Sequence, residues 1–272
     1  MWGGRVDASV DFFYLAAKSN DSVFDAAGER TAERVRRLPA SAGLNLGYQA
    51  TPFQKVAGHY EFRYDAYFRD EKTSADFAAP SSTGTHGVGL GYEYRRSGYS
   101  VVAGAMRHVR TSAEPWGAAS ATQIARKTYT KYDLGVSKDF IFATFHSIHV
   151  NGAYFGGDGL DRFSMYQFGL FEPARMHGVP SAVRFADLAM FRGSYSFNLF
   201  NQYRVDLFAD HARGRDLERV EGWVPVTGLG LGLNLRTPRN TILRADIGKS
   251  FLPDTYRGAG SIVLQILLLK PL

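Results

Sequence analysis

Cysteine is absent from the chain, which excludes disulfides and thiolate metal sites and suits passage through an oxidising compartment without mispairing. No stretch approaches the eighteen or so uninterrupted apolar residues of a membrane helix, so a helical membrane protein is excluded. The first residues do not read as a signal peptide, and the expectation is of an export signal removed or replaced. Long runs of one charge are missing too. The formal net charge is +6, but the basic residues are scattered, and Arg30, Arg34, Arg36 and Arg37 alternate with Glu29 and Glu33. That pattern reads as a solvated loop rather than a nucleic-acid surface.

What the chain does have is glycine, aromatics and alternation. Of 272 residues, 29 are glycine, 15 tyrosine and 20 phenylalanine, and 45% are hydrophobic. From Leu229 to Leu235 every second residue is leucine, while Gly230, Gly232, Asn234 and Arg236 point the other way. Thr237-Pro238-Arg239-Asn240 reads as a turn, and Thr241, Leu243, Ala245 and Ile247 then alternate with Ile242, Arg244, Asp246 and Gly248. The strands run to roughly nine to thirteen residues, the length a tilted strand needs to cross a bilayer, whereas sandwich strands usually stop near five or six.

Taken in order, Val6 to Tyr14 reads as a first strand with Asp7 and Asp11 on its inner face. Residues 17–40 read as a charged stretch with a short helix near residues 32–37, after which Leu44, Leu46, Tyr48 and Ala50 start a second strand. Val56 to Phe68 is the clearest strand, aromatic on one face and carrying His59, Glu61, Arg63 and Asp65 on the other. Further strands are expected around residues 88–95, 99–107, 128–137 and 141–154, with a turn at Lys138-Asp139. Residues 155–182 read as one long loop that includes Phe163 to Phe171. Five more strands complete the count, at about residues 184–199, 202–211, 227–236, 240–250 and 260–270. Long loops alternate with short turns, as in outer-membrane barrels. The fold class is therefore all-β: one domain over residues 1–272, a transmembrane antiparallel β-barrel of about twelve strands with both termini periplasmic.

The inner face mixes signs, with Arg192, Arg204 and Arg244 among Asp206, Asp210 and Asp246, so its charges can neutralise one another across a narrow or plugged lumen. No catalytic site emerges. No spacing joins one of the seven histidines to a serine nucleophile, and His146 and His149 differ in strand parity and cannot share a metal. Gly156-Gly157-Asp158-Gly159 lacks the strand-to-helix context of a phosphate loop. No enzyme activity, cofactor or metal is expected.

The last third resembles the barrel of the BamA-type superfamily of outer-membrane insertases and two-partner-secretion transporters. The matching pieces are Val205-Asp206-Leu207-Phe208-Ala209-Asp210, then Gly228 to Arg236 with Thr237-Pro238, then Leu243-Arg244-Ala245-Asp246-Ile247-Gly248, and a last strand from Ser261 to Lys270. In that family a loop folds back into the lumen, and the arginine of its Arg-Gly-aromatic tip meets an acidic wall residue. The resemblance implies a tip at Arg175-Met176-His177-Gly178, with Arg175 paired to Asp210 and Gly178 as the motif glycine. Arg204 and Arg244 are the alternative partners of Asp210, beside Asp206 and Asp246 on the wall. Two departures stand out: arginine and glycine are not adjacent, and room is lacking for sixteen strands or periplasmic POTRA domains.

The implied function is insertion or transport of protein or lipid at the outer membrane of a Gram-negative bacterium. The lumen is largely plugged by residues 155–182, and a weak seam forms where Gly3, Gly4 and Pro271 limit ladder bonds. Implied partners are outer-membrane lipids and client outer-membrane proteins or other barrel subunits, with no nucleic acid. A passive small-solute channel and an anchor for an upstream domain stand as the alternatives.

Overall fold

In a computed structural model, residues 5–14, 19–24, 30–71, 73–118, 121–168, 174, 176–179, 184–199, 202–215, 222–236, 241–251 and 262–269 are described. Twelve strands carry the fold: β1 (Arg5–Tyr14), β2 (Arg30–Thr51), β3 (Gln54–Arg69), β4 (Thr83–Arg96), β5 (Tyr99–Arg110), β6 (Thr128–Ala143), β7 (His146–Asp158), β8 (Asp187–Leu199), β9 (Tyr203–Arg215), β10 (Trp223–Arg236), β11 (Ile242–Phe251) and β12 (Ile262–Leu269). Each bonds antiparallel to the next in chain order, and a short strand, Ser19–Phe24, pairs with the first half of β2 on the same side as β1. This is the all-β barrel that the alternation implied, and no helix occurs among the described residues.

The helix expected near residues 32–37 is overturned. Val35 to Arg37 are laddered on both sides, to Asp21 through Ser19 and to Arg69 through Tyr67. Two ladders use every backbone donor and acceptor there, which outweighs the weak helical preference of an Ala-Glu-Arg stretch. The turn expected at Lys138-Asp139 is displaced to Thr144-Phe145. Lys138 stays in β6, its ammonium donating to the Ser97 carbonyl at 2.8 Å and lying 3.6 Å from the Tyr99 ring centroid. The strand expected from residue 184 starts at Asp187, because Arg184–Phe185 leaves the wall to pair with Tyr166–Gln167 in a two-stranded sheet of its own. Likewise β7 runs on to Asp158, so the long connection spans residues 159–186.

Short connections at residues 52–53, 97–98, 144–145, 200–202 and 237–241 alternate with long ones. Arg5 lies opposite Gln49, and Leu269 opposite Ile242, so both described ends of the wall sit at the short-turn end. Outward side chains stay uncovered. Leu229, Leu231 and Leu233 are 50, 45 and 39% exposed in the middle of the wall, whereas a water-soluble fold would bury such a stripe.

The two ends of the interior differ. Toward the long connections, Phe168, Ala174, Met176, Val179 and Phe185 pack on Phe155, Leu188, Met190, Ala212, Val224 and Val226 from the inner faces of β7 to β10. A second cluster joins Val35 and Tyr67 to Phe77, Trp116 and Phe163, drawn from three different long connections. Toward the short turns the lumen opens into two cavities of about 660 and 590 Å³.

Candidate functional site: inner wall and wall edges

Among the described residues, the segment 159–186 is tied to the wall near its start, at Asp161 and Tyr166, and again at residues 176–179. At its start, Asp161 receives Arg110 as a fork. One guanidinium nitrogen donates at 2.9 Å and the other more closely still, and the Arg126 amide adds a bond of 2.9 Å. Burial alone would raise the Asp161 carboxyl, but the Arg110 guanidinium, the Arg126 amide and the Ser164 hydroxyl outweigh it and hold it below the ordinary carboxylate range. Nearby, burial pushes the Tyr166 hydroxyl up, so it remains a neutral donor to the carbonyls of Tyr132 at 3.1 Å and Gly156 at 3.0 Å.

The second tie is at Met176-His177-Gly178-Val179. Asp210, on the inner face of β9, is fully buried and accepts from the His177 amide at 2.8 Å, from His177 Nδ1 at 2.7 Å and from Arg192 Nε at 2.8 Å. The His177 ring lies parallel to Phe208, centroids 3.8 Å apart. Gly178 has φ +73, and a Cβ there would sit 2.5 Å from the Lys249 backbone. Only a residue without a side chain takes both that dihedral and that approach. The floor is equally bare: a Cβ on Gly228 would lie 2.4 Å from the His177 carbonyl oxygen. Gly228 and Gly230 of β10, with Gly248 of β11, are therefore the seat of the loop tip.

Of the residues singled out by sequence, Gly178 and Asp210 meet at this junction. Arg175 lies outside the described residues, and the Asp210 carboxylate is occupied by His177 and Arg192. His177 was overlooked, although it directly precedes the glycine, the place an arginine takes in the Arg-Gly-aromatic tip. Arg204 and Arg244 do not pair with Asp210. Arg204 Nε donates to Asp206 at 2.6 Å, and Arg244 Nε to Asp246 at 2.8 Å. Asp206 also accepts from Ser196 at 2.6 Å and Asn234 at 2.8 Å. Three buried wall carboxylates thus each hold an arginine, the arrangement buried charges require.

The edges of the wall are the opposite case. Among the described residues, β1 and β12 exchange no ladder, whereas every other neighbouring pair of strands is laddered. Val6 is 72% exposed and Leu264 63%, more than the leucines in the middle of β10. Gly3, Gly4 and Pro271, expected to weaken this seam, lie outside the described residues. No cluster of histidine and carboxylate side chains able to hold a metal occurs among the described residues.

Twelve antiparallel strands, an apolar outer face, a charged inner face and a loop packed against the inner wall define an outer-membrane-type β-barrel. Solved structures agree on the fold. The chain is similar to CdiB from Acinetobacter baumannii, with TM-score 0.58 and 12% identity over 86% of this chain and 43% of that one. It is also similar to BamA from Haemophilus ducreyi lacking POTRA domains 1–3, with TM-score 0.56 and 10% identity over 96% of this chain and 58% of that one. The chain thus spans about half the length of these structures, and at such identities the likeness shows the fold alone. No protein-family model and no curated protein sequence matches.

Proposed function

We propose that this barrel works in the outer membrane of a Gram-negative bacterium, in the insertion or transport of protein or lipid. It would act through the edge between β1 and β12 rather than through an open pore. The observation that carries the reading is that, among the described residues, β1 and β12 are unladdered to each other in a wall that is otherwise continuously bonded. An exposed strand edge presents a row of amides and carbonyls that either recruits another strand or perturbs the lipid beside it. The packing of Phe163, Phe168, Ala174, Met176, Val179 and Phe185 against the inner wall supports a plug that blocks conduction from one end. Lipids of the outer membrane, and client barrels or other barrel subunits, are the partners this mechanism needs.

The test is a cysteine pair, Val6→Cys with Leu264→Cys, in a chain that has no other thiol. Proteoliposomes carrying the protein should speed the folding of an added outer-membrane protein into the bilayer, and oxidising the pair should abolish this while reduction restores it. Full activity in the locked form would overturn the seam. Planar-bilayer recording separates the channel alternative: the plugged barrel gives little or erratic current, a porin steady ohmic steps.

A further inference from the structure

The larger cavity, at the short-turn end of β7 to β11, has a layered charge arrangement that the seam does not use. Its volume is about 660 Å³, and Arg192, Arg204, Arg236 and Arg244 all line it. The side chains of Arg204, Arg244 and Arg192 are 48, 26 and 19% exposed, while their partners Asp206, Asp246 and Asp210 are 2, 4 and 0% exposed. Carboxylates form the back of the site and guanidinium groups its surface. The oxygens of Asp206 and Asp210 are, besides, already taken by Ser196, Asn234 and His177. An entering solute therefore meets chiefly the guanidinium groups of Arg204, Arg236 and Arg244 and the amide of Gln202.

Two of the arginines have donors to spare. Arg204 spends its Nε on Asp206 and one Nη on the Ser196 hydroxyl at 2.8 Å, which leaves its other Nη, and Arg244 spends its Nε on Asp246, with no acceptor for its Nη atoms among the described residues. Guanidinium forks match tetrahedral oxyanions, and a cavity with low-dielectric walls concentrates their field. The smaller cavity lacks this layering, since Glu61, Glu93 and Asp133 line it together with Lys55, Arg63 and Lys131.

We infer that the cavity between β7 and β11 is a binding site for a phosphate group, entered from the short-turn end, whether as free inorganic phosphate or as a small phosphate monoester. The site stands apart from the seam and does not depend on it.

The experiment is calorimetric titration of inorganic phosphate, and separately of glycerol 3-phosphate, into the full chain in a phosphate-free detergent at about 0.15 M salt, where long-range attraction is screened. Saturable binding of either ligand is expected, and which one binds more tightly identifies the source. Arg204→Gln with Arg244→Gln should weaken it about tenfold or more, while Lys131→Gln in the other cavity leaves it unchanged. Absence of binding by both ligands, or equal binding by the double variant, would overturn the site. Should the double variant fail to fold, arginine modification by phenylglyoxal in the unmodified protein decides. Phosphate should slow modification of Arg204 and Arg244, and unchanged rates with phosphate present would overturn the site too.

Discussion

The sector from β8 to β11 and the edge between β1 and β12 are parts of one sheet, yet they are held in opposite ways. In the sector, Asp206, Asp210 and Asp246 each lock an arginine, and the tip at His177-Gly178 rests on bare glycine backbone. At the edge, the described residues show neither ladder nor covering side chain. A barrel in lipid has to satisfy every backbone group, and the described residues do this by ladder everywhere but at this edge. On the proposed function the two regions are complementary: the docked loop holds the sector fixed, and any opening falls to the edge.

The largest effect expected of breaking this contrast is at the seam itself. Locking Val6 to Leu264 by a disulfide should remove client insertion altogether, read in the proteoliposome assay, whereas a disulfide joining Val101 and Val136, opposite each other on β5 and β6, should leave it intact because those strands are already bonded. Next comes the seat of the plug. Gly178→Val forces a side chain into the left-handed region and against the Lys249 backbone, and should cost about 4 kcal/mol in urea unfolding followed by gel mobility. Asp210→Asn removes the charge shared by His177 and Arg192, for about 3 kcal/mol in the same assay.

A pH effect should follow from Asp161. Its folded carboxyl lies below the ordinary value, so its contribution is complete above the unfolded value of about 3.9 and is lost as pH falls through the folded one. The urea midpoint should therefore not respond to Asp161 between neutral and mildly acidic pH. Below about pH 4 it should fall, and Asp161→Asn should be less stable at neutral pH and show a smaller acid decline. The smallest effect belongs to the exposed rim, where Lys138→Ala removes a cation over Tyr99 and should change stability by under ~1 kcal/mol.

Much of this architecture was legible. Alternation alone gave the sides of β3 and β10, because Leu229 to Leu235 admit only one assignment of faces. Loop lengths gave the two ends. The residues that misled were those whose local chemistry competes with a long-range ladder. Residues 32–37 carry good helix formers, and Lys138-Asp139 are good turn residues, but the neighbours that overrule them lie in other strands. Asp210 and Gly178, which the resemblance named, both lie where residues 176–179 meet the wall. The bond of His177 to Asp210 could not be read from sequence, since an imidazole and an arginine can reach the same carboxylate and only the path of the loop decides between them. Nor could the seating role of Gly228 be read, because a glycine in a strand marks a bulge, a bend or a close approach alike.

The account rests on acyl chains, not protein, covering the outward stripe of leucine, valine and aromatics. Sedimentation velocity of the purified chain with and without detergent tests this directly. The account predicts a folded, sheet-rich particle only when detergent or lipid is present, and aggregation on its removal. A folded monodisperse species in plain buffer would contradict it.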